Sequence, residues 1–435
     1  MKKGGRHLTV VIKLGTSSIV DEKTHEPLLP ILTLIVDTAV KLQKSGHRVV
    51  IVSSGAIGVG LRRMDVDKKP KHLAQLQALA AIGQCRLISL WDSLFQHMDQ
   101  PVAQILLTKN DIADRKRYLN AQNTFNSLLD MGVIPIVNEN DTLAVSEIKF
   151  GDNDTLSAIT AAMIHADCLF LMTDVDCLYD KNPRSHPDAR PIEVVSDLTD
   201  IHADVSSAGS SVGTGGMSTK LIAARLGTSA GVTVIITRSS NPGNILNIVN
   251  YLYSSPAPAV AGEDELDGES VVACSTSLNL MAPSGTTHSP PLHTRFIASS
   301  DPIRDRHFWL LHTLTPHGTV YIDKGAHRAL VGKAGLLPVG VVDVEGNFAQ
   351  HEPVRVVVVD RLAEPGPDGR IRGSHAEEVG RALVNYASAE ITRVMGHQSA
   401  EIEDLLGYAD SEYVINRQHV VFFQKGSRPV SPVEN

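Results

Sequence analysis

The chain has no cysteine pairs. Its four cysteines, Cys85, Cys168, Cys177 and Cys274, are scattered without CxxC spacing, which argues against a zinc site and for reduced thiols in a cytoplasmic protein. Nor do the 18 histidines fall into HExxH or a similar ligand pattern. Long apolar runs are missing too: none approaches the roughly eighteen residues that a membrane span needs. The start, MKKGGRHLTVVIKLG, is basic, but Lys13 interrupts its apolar stretch after a few residues. Neither a secretory signal nor a membrane partner is therefore expected. A net charge of −8 disfavours nucleic acid or anionic membrane as the main partner of the whole chain. GxxxxGK[ST] and GxGxxG are both absent, so P-loop and Rossmann dinucleotide readings lack support.

What is present is length and alternation. With 435 residues and 43% apolar content, the chain can bury two cores. LTVVIKLG (8–15), RVVIVSSG (48–55), PVAQILLT (101–108), VIPIVNEN, CLFLMTD and VTVIITR read as strands. Between them, 31–46, 73–98, LNAQNTFNSLLDMG, a segment from about Asp154 and the segment carrying Lys220 read as helices. Strands separated by helices predict an α/β fold, a three-layer sandwich around a mostly parallel sheet. Composition shifts after Tyr253. Residues 254–302 are rich in Pro, Ser, Gly and Thr and predict a mobile linker. GTVYID, VVDVEG and VRVVVVD then predict a small C-terminal β-barrel. The expected organisation is an α/β domain over 1–253, a linker over 254–302 and a barrel domain over 303–425.

In an open α/β sheet, ligands bind at the carboxyl ends of the strands. There the chain offers KLGTSS (13–18), VSSGA (52–56), VNEND (137–141), MTD (172–174) and, before a helix, VGTGGMSTK (212–220). Glycine-freed N–H groups at helix N-termini suit phosphate oxygens. Two lysines on separate strand ends, reaching into a solvent-accessible cleft, could flank a polyphosphate from opposite sides. Each piece has a bland reading: Lys13 as a solvated strand end, SSG as a capped turn, GDND (151–154) as a turn and cap, GTGG as a flexible loop. Five strand ends of one chemical kind favour the functional one.

VVIKLGTS, IVSSGAIGVG, VNEND with EIKFGDND, LMTDVDCLY and GTGGMSTKL together resemble the glutamate 5-kinases of the amino acid kinase family, in family order over most of residues 8–250. GTVYIDKGA, LLPVGVVDVEGNF and HQSAEIEDLLGY are similar to the RNA-associated PUA domain that many such enzymes append. The resemblance implies ATP-dependent phosphorylation of the side-chain carboxylate of L-glutamate to glutamyl 5-phosphate, the first step of proline synthesis. Such chemistry needs no general base, because a carboxylate is already ionised at neutral pH.

Carried over by position, Lys13, Lys220 and Asp154 are the implied catalytic residues, with the aspartate orienting the lysines. Ser54, Asp141 and Asn153 are the implied substrate-binding residues, Asp141 for the α-ammonium and the other two for carboxylate oxygens. Lys13, Gly15, Thr173, Asp174, Thr214, Gly215, Gly216, Met217, Ser218, Thr219 and Lys220 are the implied ATP-binding positions. Gly15, Thr16 and Gly55 let backbone approach phosphate and substrate. Mg²⁺ is expected to ride on the ATP phosphates and water rather than on protein ligands. A homo-oligomer is expected, and the next enzyme of proline synthesis is a candidate partner for the labile product. The resemblance implies proline as feedback inhibitor, and the stretch 142–150, with apolar residues and the charges of Glu147 and Lys149, is expected to form a loop over the site where Asp141 could hold either ligand.

Two rivals stand beside this reading. Acetylglutamate, aspartate or uridylate kinases would share the nucleotide half, and the substrate half separates them. An RNA-binding protein with a degenerate kinase domain is the other. Residues 304–435 hold 14 Lys and Arg against 17 Asp and Glu, a net of −3, which argues against RNA binding through phosphates.

Overall fold

The computed structural model describes residues 7–143, 152–196, 216–253, 290–303, 305–359 and 376–423. Its first half alternates strand and helix. β1 (Thr9–Leu14), α1 (Thr16–Ile19), α2 (Leu29–Lys44), β2 (Arg48–Ser53), α3 (Ala56–Arg63) and α4 (Leu73–Gln96) come first. They are followed by β3 (Val102–Leu107), α5 (Lys109–Ala113), α6 (Arg115–Asp130), β4 (Ile134–Glu139), α7 (Asn153–Met163) and β5 (Cys168–Thr173). Short strands β6 (Leu178–Tyr179), β7 (Pro191–Ile192) and β8 (Val194–Val195) lead on to α8 (Met217–Ser229), β9 (Thr233–Arg238), α9 (Asn244–Tyr253) and β10 (Thr294–Phe296).

These strands form an eight-stranded sheet in the order β3-β4-β2-β1-β5-β9-β10-β8, while β6 and β7 pair separately. The strands from β3 to β9 run parallel, as an alternation of strand and helix demands. Because side chains alternate across a strand, β1 feeds two cores. Val11 joins Phe125, Leu156 and Ala223, from α6, α7 and α8, on one face. Val10, Ile12 and Leu14 join Ile35, Trp91 and Ile248, from α2, α4 and α9, on the other. A sheet covered on both faces explains why its central strands are apolar along their whole length.

α2 shows how the covering helices are specified. Leu32, Ile35, Val36, Ala39, Val40 and Leu42 are buried, while Lys41 and Asp37 pair at 2.7 Å on the solvent side. Gly46, at φ +91°, turns the chain out of the helix. α3 and α4 pack more closely than ordinary side chains would permit. A methyl group at Gly83 would sit 1.7 Å from the Ala56 carbonyl oxygen, and one at Gly60 would sit 2.1 Å from that of Leu79.

The stretch 254–302 is not linker to its end. Thr294–Phe296 pairs antiparallel with β9, and Phe296 is fully buried in the first core. The segment after it, α10 (Asp305–Phe308) and a π-helical turn at Trp309–Thr313, adds Phe308, Trp309, Leu310 and Leu311 to that same core. Trp309 Nε1 donates to the Ile112 carbonyl at 2.9 Å. The expected boundary at 302/303 therefore falls within residues that complete the first core. Three residues of β10 suffice because the neighbouring β9 supplies the template. Residues 254–289 lie outside the described set.

Five further strands, β11 (Gly318–Ile322), β12 (Val341–Gly346), β13 (Pro353–Val358), β14 (Glu377–Leu383) and β15 (Val420–Phe422), form a second sheet ordered β12-β11-β13-β14-β15. It has its own core, with Val320, Ile322, Val354, Val356, Tyr386 and Ile415. The expected strands GTVYID, VVDVEG and VRVVVVD are its first three. Among the described residues, no helix is long and apolar enough to cross a membrane, and Cys85, Cys168 and Cys177 form no disulfide.

Candidate functional site

β1, β2, β4 and β5 lie side by side and parallel, so their carboxyl ends form one rim. Lys13 stands one residue from the end of β1, level with Val52 of β2 and Leu171 of β5. Its ammonium Nζ lies 2.6 Å from Asp154 Oδ1. Asp154 occupies the first turn of α7, where a carboxylate also meets the positive end of the helix dipole. Its other oxygen, Oδ2, lies 3.3 Å from Lys220 Nζ and accepts a 2.7 Å hydrogen bond from the Thr219 hydroxyl. Thr219 is itself fixed by the Gly216 N–H, which donates to Oγ1 at 3.0 Å across the start of α8.

Lys220 stands within α8 rather than at a strand end, and neither lysine is in open solvent, contrary to the expectation of an accessible cleft. Lys13 is 4% and Lys220 7% exposed, and Asp154 is fully buried. Burial by itself pushes the Asp154 carboxyl up. The two ammonium charges and the hydrogen bonds from Lys13 and Thr219 outweigh it and hold the group down at about 2. Burial, and then repulsion from Lys13, pull the Lys220 ammonium below the usual lysine range, while Asp154 opposes them. One buried carboxylate thus holds two ammonium groups side by side, with a surplus of one positive charge.

Beside this triad opens a cleft, partly open to solvent, lined by Thr16, Ser54, Gly55, Glu139, Asp141, Asp152, Asn153 and others. Gly55 caps α3 at φ +100°, a left-handed conformation that glycine adopts without strain. Asn153 Nδ2 donates to Ser54 Oγ at 2.8 Å and to Asn138 Oδ1 at 2.9 Å, and Asn138 Nδ2 donates to Gln84 Oε1 at 2.8 Å. The chain of donors fixes which way the Asn153 amide faces. Its buried Oδ1 is left without a hydrogen-bond partner. Asp152 caps α7 by accepting the Thr155 N–H at 2.7 Å. Burial and the neighbouring Asp154 charge raise its carboxyl, against the Thr155 N–H and Lys13.

The structure brings Ser54, Asp141 and Asn153 together at the cleft, and Lys13, Asp154, Thr219 and Lys220 together beside it. Gly15 caps α1 next to Lys13: a Cβ there would lie 3.7 Å from Lys13 Nζ. Gly216 caps α8, whose first residues are Met217 and Ser218. Thr173 ends β5 and donates to Asp174 Oδ1 at 3.1 Å, while Asp174 is paired with Arg184 at the surface. Thr214, Gly215, Glu147 and Lys149 lie outside the described residues. Asn138, Glu139, Asp152 and Lys69 also line the cleft without having been named from sequence. Asn138, within VNEND, was legible as a polar residue at a strand end. Asp152, within GDND, reads locally only as a helix cap.

Residues 8–238 match the amino acid kinase family, and residues 318–406 match the PUA domain. A probable glutamate 5-kinase of Schizosaccharomyces pombe is 52% identical over 437 residues, covering 100% of this chain and 98% of that protein. A glutamate 5-kinase of Rippkaea orientalis is 42% identical over 416 residues, covering 95% and 98%. The solved structure of the UMP kinase from Ureaplasma parvum aligns with a TM-score of 0.40 at 15% identity, over 57% of this chain and 96% of that one.

Proposed function

This chain belongs to the amino acid kinase family, and from that premise we propose that it transfers the terminal phosphoryl group of ATP to the side-chain carboxylate of L-glutamate. The observation that carries the reading is the buried Lys13–Asp154–Lys220 triad beside a cleft lined by Ser54, Asp141 and Asn153.

In the reaction a carboxylate oxygen attacks the γ-phosphorus, the bond from that phosphorus to the β,γ-bridging oxygen breaks, and ADP leaves. The nucleophile is ionised at neutral pH, so no base is required. Three anionic groups nevertheless have to converge: substrate carboxylate, moving phosphoryl and departing ADP. Lys13 and Lys220 neutralise that charge, and Asp154 sets their spacing without cancelling both. Because these groups are held before substrate arrives, little reorganisation accompanies the transition state. The N–H groups at the start of α8, with Gly15, face the polyphosphate. Mg²⁺ supplies further charge neutralisation when bound with the nucleotide. The only ionised acid in the triad is already engaged by two lysines, which suits an ion held by phosphate oxygens and water.

At the acceptor end, Asp141 pairs with the α-ammonium. Asn153 spends both amide hydrogens on Ser54 and Asn138, so its free Oδ1 suits that ammonium better than a carboxylate. This shifts the role expected for Asn153 from its position alone. Proline shares the ammonium and α-carboxylate and lacks the reacting group, so it competes for the same cleft. The second sheet supports packing against the first core rather than RNA binding: Arg381 of β14, within the PUA-matching segment, donates to the Leu314 carbonyl at 2.8 Å, and Val421 of β15, just beyond that segment, is buried in the first core.

The test is ATP turnover by the purified protein with L-glutamate, N-acetylglutamate, aspartate and UMP, trapping acyl phosphate with hydroxylamine. Glutamate-dependent hydroxamate is the expected product. Turnover restricted to another acceptor would replace this reading.

A further inference from the structure

The cleft beside Ser54 is crowded with acceptors. Glu139, Asp141 and Asp152 line it, and Asn153 adds an amide oxygen without a donor. Among the described lining residues there is a single cationic side chain, Lys69. It comes from residues 64–72, the loop joining α3 to α4. That loop is anchored at both ends, because Gly60 and Gly83 let the two helices close to near backbone contact. Met64 N–H and Val66 N–H also return to the Gly60 and Leu61 carbonyls.

Glutamate carries two carboxylates and one ammonium. The acceptors of the cleft serve the ammonium several times over, and Lys13 and Lys220 serve the carboxylate that reacts. The second carboxylate would face walls of its own sign unless a cation met it, and like charges held close in a partly desolvated site repel. We propose that Lys69 pairs with this non-reacting carboxylate and so selects an amino dicarboxylate over an amino acid with only the reacting group. The proposal rests on the glutamate reading above. Lys69 is exposed, so its effect belongs to binding rather than to the chemical step.

The test uses the full-length protein, with initial rates measured against L-glutamate at saturating ATP. Lys69→Ala should raise the glutamate KM about fivefold, as expected for loss of one partly screened ion pair. The kcat and the KM for ATP should stay within about twofold of the parent, the pattern of lost ground-state binding. Lys69→Arg should restore most of the affinity, and Lys69→Glu should weaken it beyond Lys69→Ala. Neighbouring Lys68→Ala and Lys71→Ala report a general field effect and should match the parent. A parent-like glutamate KM in Lys69→Ala, or equal losses in all three alanine variants, overturns the assignment while leaving the kinase reading intact. A parent without glutamate turnover overturns both.

Discussion

Lys13 Nζ and Asp154 Oδ1 stand 2.6 Å apart in a place where neither is open to water. One comes from the first strand of the chain and the other from a helix 141 positions later. An ion pair so placed is strong in a low dielectric and costly to break from one side. Lys13→Ala and Lys220→Ala should each lower kcat a hundredfold or more, since charge on the moving phosphoryl group loses a partner. Thermal and urea melts should fall as well, by on the order of 2 kcal/mol or more, because Asp154 is left with one cation instead of two. Steady-state kinetics and unfolding curves on both variants check this. Near-parent turnover would remove the lysines from the mechanism.

The same aspartate sets a pH dependence. Its folded value of about 2 lies below the ordinary aspartate value of 3.8. The stabilisation it contributes is therefore present above pH 4 and is lost as pH falls through 2. The shift corresponds to about 2 kcal/mol. Asp154→Asn should be less stable than the parent at pH 6, and the gap should narrow by roughly that amount between pH 4 and 2. Urea melts of parent and variant across this range would reveal it. A gap that stays constant with pH would mean that the carboxylate is not held down by the lysines.

Gly83 presents a different kind of constraint. With a methyl group 1.7 Å from the Ala56 carbonyl, Gly83→Ala must push α4 away from α3. That overpacking should cost about 3 kcal/mol. Since Gly55 and Ala56, at the start of α3, line the cleft, the glutamate KM should rise more than the KM for ATP. Parent-like stability would show that the helix pair can separate freely.

These cases separate what was legible in the sequence from what was not. The near-continuous apolar runs around Val10–Leu14, Val49–Val52 and Leu169–Met172 announce strands buried on both faces, and polar residues at their ends announce a site. Lys13 stands out because it breaks an apolar run at a strand end, whereas Ser54 and Asn153 are singled out only by what the family resemblance implies. Burial of the lysines was not legible, since it depends on the meeting of β1, α7 and α8, far apart in sequence. Nor was β10. Its three residues, Thr294–Phe296, are too few to carry a period and end a stretch rich in Pro and Ser. Gly60 and Gly83 are silent for the same reason: only the crossing of two helices shows why neither tolerates a side chain.

The catalytic layer should therefore end later than the composition change suggests. A chain cut after Tyr253 lacks β10 and the side chains of Phe296, Phe308, Trp309 and Leu311, all buried in the first core. It should be insoluble or unfolded. A chain ending near His317 keeps them, and should retain glutamate-dependent turnover with reduced stability because Val421 and the Arg381 bond to Leu314 are gone. Solubility, circular dichroism and turnover of the two fragments decide between these boundaries. A folded, active fragment ending at Tyr253 would show that β10 and the π-helical turn only decorate the layer.

Control by proline is the remaining prediction, and the cleft gives it a physical basis. Proline has a secondary ammonium and one carboxylate, the end of glutamate that does not react. Asp141, placed with Asp152 and Asn153 on the wall, can hold that ammonium for either molecule. Asp141→Asn removes the charge both ligands use, so it should raise the glutamate KM and the proline inhibition constant together, each about tenfold or more, as for a charge-assisted contact in a partly buried site. Glu147→Ala lies in the stretch 142–150, whose apolar residues and charges suit a pyrrolidine ring. It should weaken proline inhibition several-fold while leaving kcat nearly unchanged. Inhibition kinetics at several glutamate concentrations test both variants. Proline should raise the apparent KM for glutamate at constant kcat. Inhibition that lowers kcat alone, or loss of glutamate affinity in Asp141→Asn without loss of proline affinity, would place the two ligands in separate sites.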